Sequence, residues 1–237
     1  MIHFKVLTLF PELFPGPLAA SITGSALEKN LWEIEAINLR NYSKDARKTV
    51  DDMPYGGGAG MVLKADVVAD AIQDNKSDVT KVIYLSPRGQ KFNQKMARDL
   101  SKEKEIMFLC GRYEGVDQRA LDEMEVEEVS IGDYVLSGGE IAAFVAIDAI
   151  LRNVEGVLGA DESLAEESFG SNQNSEFDHL LEYPHFTRPV EWNGRTVPDV
   201  LTSGHHKKIN EWRKEKAIEI TKKNRPDLYE EFLKESE

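Results

Sequence analysis

The sequence predicts an α/β protein built on a mostly parallel sheet, followed by a small helical domain. Two observations predict it. Short apolar segments with strand character alternate with amphipathic helical segments through the first two-thirds of the chain, at the spacing that parallel strand–helix–strand units require. Three of the apolar segments then run into loops rich in glycine, and the alternation stops after Gly159.

The elements follow in order. Ile2 to Phe10 is a strand, and Leu18 to Asn30 is helical in character. Glu33 to Leu39 alternates apolar and polar residues, as a strand does. Lys64 to Asp74 is a helix with Val67, Val68, Ala71 and Ile72 on one face. Next come a strand at Lys81 to Leu85, a helix at Gln90 to Ser101, a strand at Ile106 to Cys110 and a helix at Val116 to Met124. A strand at Glu128 to Ile131 and a strongly apolar helix at Glu140 to Arg152 close the series. Residues 160 to about 179 are rich in Asp, Glu, Ser, Asn and Gly, with only Leu164, Phe169 and Phe177 as large apolar groups, which suits a linker or mobile loop. From Leu180 the chain carries Pro184, Pro189 and Pro198 before one or two helices, too little for a large core. The expected organisation is a ligand-binding domain over 1–160, a linker over 161–179 and a small helical domain over 180–237.

With 237 residues, 41% hydrophobic and 30% charged, the chain has the balance of a soluble globular protein. Its apolar stretches are too short to cross a bilayer, so no membrane partner is expected. The start Met1-Ile2-His3-Phe4-Lys5 has neither a basic leader nor a cleavage site, and a cytoplasmic location is expected. Cys110 is the single cysteine, which excludes an internal disulfide, and no cysteine-based zinc site is expected; within Ile106-Met107-Phe108-Leu109-Cys110 it reads as a small core residue. A net charge of −13 argues against a general nucleic-acid binder, and DNA is not an expected partner. Local basic faces remain: Lys207 to Arg225 holds eight cations against three acids, and Lys44, Arg47 and Lys48 form a second cluster. Such faces suit RNA and suit a solvated helix equally well.

The loops after the strands carry the chemistry. Leu85-Ser86-Pro87-Arg88-Gly89, Cys110-Gly111-Arg112-Tyr113-Glu114-Gly115 and Ser130-Ile131-Gly132-Asp133-Tyr134-Val135-Leu136-Ser137-Gly138-Gly139-Glu140 each follow a strand. The carboxyl ends of parallel strands form the ligand crevice of such sheets, and glycine lets the backbone approach a ligand. A single such loop would be only a tight turn; three in succession point to a site. Pro11 follows the first strand where a G-x-G-x-x-G would open a dinucleotide site. Tyr55-Gly56-Gly57-Gly58-Ala59-Gly60-Met61 lacks the Lys-Ser/Thr of a P-loop, and reads either as a plain flexible loop or as a cradle for a phosphate or an extruded base. The adjacent His205 and His206 diverge and lack further ligands, so no metal site is expected.

These segments, with Asn41-Tyr42-Ser43, Gly156-Val157-Leu158-Gly159, Leu181-Glu182-Tyr183-Pro184-His185-Phe186-Thr187-Arg188-Pro189 and Leu201-Thr202-Ser203-Gly204-His205-His206, resemble the bacterial tRNA (guanine-N1)-methyltransferases of the TrmD type, in the SPOUT class. The resemblance implies a deep trefoil knot in the sheet domain and a homodimer whose active sites are shared between chains. It implies S-adenosylmethionine as methyl donor, held by Tyr84, Leu85, Ser86, Pro87, Gly111, Tyr113, Glu114, Gly115, Ser130, Ile131, Gly132, Asp133, Tyr134, Val135, Leu136, Gly138 and Gly139. It implies methylation of guanine N1 on the 3′ side of a tRNA anticodon. Magnesium could assist, although no ligand set for it stands in the sequence.

Removing the N1 proton calls for a carboxylate, and the charge that develops on O6 calls for an arginine. By position these are Glu167, where the family usually has aspartate in Asp-Ser-Phe, and Arg152. The extra methylene of glutamate adds about 1 Å of reach at nearly unchanged acidity. Glu166 and Asp161 are the fallback bases. Without the resemblance, Arg152 reads as a helix C-terminal cap and Glu167 as one solvated acid among several. Expected tRNA contacts are Lys44, Arg47, Gly57, Gly58, His206, Lys207 and Arg213. The alternatives are a different knotted RNA methyltransferase and a non-catalytic RNA-binding protein that retains the fold.

Overall fold

The structure is a computed structural model and describes residues 1–158, 167–169 and 179–235. The chain divides into two compact units, Met1–Gly159 and Ala160–Glu237. Most of the expected linker, including Asp161 and Glu166, lies outside the described residues.

The first unit runs β1 (Ile2–Thr8), α1 (Ser21–Glu28), β2 (Trp32–Asn38), β3 (Asp51–Asp52), β4 (Val62–Leu63), α2 (Ala65–Asn75), β5 (Thr80–Lys91), α3 (Gln94–Leu100), β6 (Glu105–Leu109), α4 (Gln118–Glu123), β7 (Glu127–Ser130) and α5 (Gly139–Leu151). Five strands form one sheet in the order β2-β1-β6-β5-β7, with every neighbour parallel. The expected α/β architecture is therefore present. β3 and β4 make a separate antiparallel pair at the two ends of the glycine-rich segment.

Side chains alternate across the sheet with period two and fill two cores, as a parallel sheet buried on both faces requires. Phe4, Val6, Ile83, Ile106 and Phe108 point to one side, against Ala97 and Leu100 of α3 and Ala143, Ala146 and Ile147 of α5. Leu7, Val82, Tyr84, Met107 and Leu109 point to the other, against Val67, Val68, Ala71 and Ile72 of α2 and Ala120 and Leu121 of α4. Cys110 is fully buried in the first core.

The element ends differ from the sequence reading for local reasons. β1 stops at Thr8, whose hydroxyl accepts from the Phe10 N–H at 3.0 Å and so turns the chain toward Pro11. The first expected helix splits into a 3-10 turn at Gly16–Ala19 and α1. β2 ends where the Asn38 side chain accepts from the Arg40 N–H at 2.9 Å. β5 continues past its expected end because Gln90 and Lys91 resume pairing with Val129 and Ser130 after a register shift at Leu85. Residues 86–89 therefore bulge out of the sheet, and α3 starts only after Asn93, whose side chain caps the Met96 N–H at 2.9 Å.

The second unit contains β8 (Glu191–Trp192), β9 (Arg195–Thr196), α6 (Asp199–Thr202), α7 (His206–Asn224) and α8 (Pro226–Glu235). Its core is small: Leu180, Tyr183 and Ala217 are buried, with Trp212, Ile218 and Phe232 packed around them. Buried Thr221 has both roles satisfied, accepting from the Leu181 N–H and donating to the Ala217 carbonyl, each at 2.7 Å. No helix among the described residues is long and apolar enough to cross a membrane.

Candidate active site

A cavity of about 350 Å³ opens at the carboxyl ends of β5, β6 and β7. That volume and position are those of a small-molecule site in a parallel sheet. Its wall comes from the bulge after Leu85, from the loop at Gly111–Val116 and from the segment between β7 and α5. All the residues expected to hold a methyl donor line it except Asp133. The sequence reading did not single out Arg88, Arg112, Val116, Val129, Ser137 and Ala142, which line it as well. Arg88 and Arg112 lie inside the loop motifs themselves, so the signal was adjacency within the loops. Ala142, one turn into α5, carried none.

The glycines allow this wall to form. A Cβ at Gly111 would stand 2.7 Å from the ring of buried Tyr84, and one at Gly139 would stand 2.7 Å from the Cα of Cys110. Both gaps are shorter than real contacts allow. The chain leaves edge strand β7 and runs back across the ends of β5 and β6, where the Gly139 N–H donates to the Gly111 carbonyl at 2.9 Å. α5 then packs in the core beside β1. Burial raises the Tyr84 hydroxyl pKa, opposed by Arg88 and reinforced by Glu128, which keeps it a neutral donor.

An ion pair fixes two of these loops. Glu140, at the start of α5, is buried, and Arg112 reaches it with Nη2 at 2.8 Å from Oε2 and Nε at 3.2 Å from Oε1. The Thr8 hydroxyl donates to the same Oε1 at 2.7 Å, the Arg112 Nη1 donates to the Ser137 carbonyl at 3.2 Å, and the guanidinium lies 4.4 Å over the Phe10 ring. The β6 loop, the approach to α5 and the end of β1 are thereby held together.

The glycine-rich segment adjoins the cavity. Glu114 donates its N–H to the Met61 carbonyl at 2.9 Å, Leu63 donates to Gly115 at 3.0 Å, and Gly60 lies so close under the Glu114 side chain that a Cβ would clash. Gly57 and Gly58 have positive φ angles and open space around them, as a backbone cradle for an incoming group would need.

The remaining expected site residues are distributed over both units. Arg152 caps the carboxyl end of α5, and Glu167 belongs to the second unit and is partly buried. Lys44 is exposed but already paired with Asp70 at 2.9 Å, whereas Arg47 is exposed beside it. His206 and Lys207 open α7 at the surface. Arg213 is partly buried, its guanidinium 4.9 Å over the Tyr183 ring. Among the described residues, no group of three or more His, Cys, Asp or Glu side chains is arranged to hold a metal ion.

The fold and cavity define a parallel α/β protein with a cavity of small-molecule size walled by glycine-rich loops at its strand ends. Within that class, the chain belongs to the family described as tRNA (Guanine-1)-methyltransferase TrmD, whose model matches residues 2–231. It is 54% identical to the tRNA (guanine-N(1)-)-methyltransferase of Rhodospirillum rubrum, over 96% of this chain and 92% of that one. It is 47% identical to the protein of that name from Pelagibacter ubique, over 99% of this chain and all of the other, and 51% identical to the one from Lachnospira eligens, over 98% and 97%.

Proposed function

We propose that this chain transfers a methyl group from S-adenosylmethionine to N1 of the guanine on the 3′ side of a tRNA anticodon. The cavity carries the proposal: its lining coincides with the loops that the sequence resemblance implies for the donor. The residues present fit that group. The crowded glycines bring backbone N–H and C=O groups to the wall, while Leu85, Ile131 and Ala142 supply apolar surface and Tyr84 a neutral hydroxyl. When bound, S-adenosylmethionine supplies an electrophilic methyl on a sulfonium. In this scheme the backbone passing behind Gly139 completes a trefoil knot, a reading supported by the return of α5 to the centre of the sheet.

Glu167 acts as general base, accepting the N1 proton so that the nitrogen lone pair is free to react. Arg152 faces the negative charge that then develops on O6. Gly57 and Gly58 cradle the extruded guanine, which must leave its stack to be reached. Arg47, His206 and Lys207 meet the tRNA backbone, with Lys44 and Arg213 supporting them. The working enzyme is a homodimer whose sites take residues from both chains. The exposed apolar pair Ile141 and Val145, one turn apart on α5, is consistent with a covered face.

The test is methyl transfer from labelled donor to an unmodified tRNA transcript, with and without the target guanine. Transfer that requires that guanine, and that falls at least a hundredfold in Glu167→Gln and in Arg152→Ala, is the expected result. Full activity in Glu167→Gln would move the base to Glu166 or Asp161. Donor binding without transfer would favour a non-catalytic RNA-binding protein.

A further inference from the structure

In the second unit, β8 and β9 form a two-residue hairpin closed by Asn193 and Gly194, whose φ angles of 52° and 73° are those of a type I′ turn. Such a turn fixes the register, so the faces of the hairpin are defined. Trp192 pairs with Arg195, and the Val197 N–H donates to the Val190 carbonyl at 2.9 Å. Val190, Trp192, Arg195 and Val197 therefore share one face, and Glu191 and Thr196 take the other.

That face is open. Trp192 is 65% exposed and Val190 60%, and Arg195 is exposed too. Among the described residues neither Trp192 nor Arg195 makes a ring contact, ion pair or side-chain hydrogen bond. Two comparable groups of the unit are used internally: Trp212 packs at the core and meets Phe186 at 6.1 Å, and Arg213 lies over Tyr183. One indole and one guanidinium, directly opposite across the hairpin with Cβ atoms about 5 Å apart, are left pointing outward on a rigid turn.

We infer that this face is a contact for the tRNA substrate, Trp192 stacking on an unpaired base and Arg195 taking the adjacent phosphate. The inference rests on the proposed tRNA activity. Charge favours RNA over an apolar protein partner: residues 185–225 hold ten Lys and Arg against five Asp and Glu, in a chain of net charge −13. An indole face accepts any base, and an arginine beside it neutralises the phosphate that the same nucleotide carries.

The experiment uses the full chain. Steady-state methyl transfer is measured for Trp192→Ala, Trp192→Phe and Arg195→Gln, varying tRNA and donor separately, alongside thermal unfolding. Trp192→Ala raises the KM for tRNA about tenfold, with kcat, the KM for the donor and the unfolding midpoint unchanged, and Trp192→Phe restores most of the loss. Arg195→Gln lowers the salt dependence of tRNA binding by about one phosphate contact. Titration with tRNA quenches a part of the tryptophan emission that Trp192→Phe lacks. An unchanged KM for tRNA in Trp192→Ala, or quenching undiminished in Trp192→Phe, overturns the inference while leaving the methyl-transfer proposal intact. If the native chain transfers nothing, the activity proposal fails, and the quenching titration still decides the hairpin contact by itself.

Discussion

Single residues at this site are fixed by space and charge more than by hydrogen-bond count. Gly111 and Gly139 were legible from the sequence as backbone that must come close to something. What they come close to was not legible, because Tyr84 and the Cα of Cys110 reach them only through strand pairing. Cys110 was legible as a core residue from its apolar run, and it is fully buried. Burial pushes its thiol well above the ordinary range, with the Glu140 carboxylate adding in the same direction and Arg112 opposing. The unfolded chain releases that proton near pH 8.5, whereas the folded chain keeps it. Above that pH the folded state binds more protons than the unfolded one, so stability is complete below pH 8.5 and falls above it, by up to about 1.4 kcal/mol per unit. Urea unfolding under reducing conditions at pH 8 and pH 9.5 should show the native chain losing about 1 kcal/mol more than Cys110→Ala. Equal losses in the two proteins would remove Cys110 as the cause.

Secondary-structure elements were legible where one period dominated. β6 and the first half of β5 are apolar on both faces and were placed within a residue or so. The ends of β1 and β2 and the starts of α3 and α4 were set by side chains that propensity does not rank: Thr8, Asn38, Asn93 and Asp117 each accept a backbone N–H two or three residues on. The β8–β9 hairpin carried a turn signal in Asn193-Gly194, masked by the surrounding prolines. The link between elements that sequence could not supply is Arg112 with Glu140, which meet because the chain returns across the strand ends after β7. Glu140 is 1% exposed and Arg112 21%, so removing one partner leaves a charge with little solvent. Arg112→Ala should cost about 3 kcal/mol in denaturant unfolding and also weaken donor binding, since the Gly111 and Ser137 loops lose their common tie. Adding Glu140→Ala to it should cost less than the two single losses summed. Strict additivity would mean that the pair does not act as a unit.

At the scale of the whole molecule, the cavity at the strand ends and Arg152 lie in the first unit, while Glu167 lies in the second. A reaction that needs both can take them from one chain or from two. The order of strands in the sheet is a property of non-local pairing and was not legible in the local sequence pattern. The family resemblance implied the dimer, and the two arrangements differ in what mixed dimers can do. Suppose each site combines Arg152 of one protomer with Glu167 of its partner. A heterodimer of Arg152→Ala with Glu167→Gln then has one site carrying both substitutions and one site carrying neither. Mixing the two inactive variants under conditions that exchange subunits should therefore restore about a quarter of the native methyl transfer, because half the dimers are mixed and half of their sites are intact. If both residues of a site come from one chain, every site in the mixture keeps one substitution and no activity returns. Light scattering on the same mixtures establishes that dimers are present and exchanging, so a failure to recover activity would place Arg152 and Glu167 of each site in a single protomer.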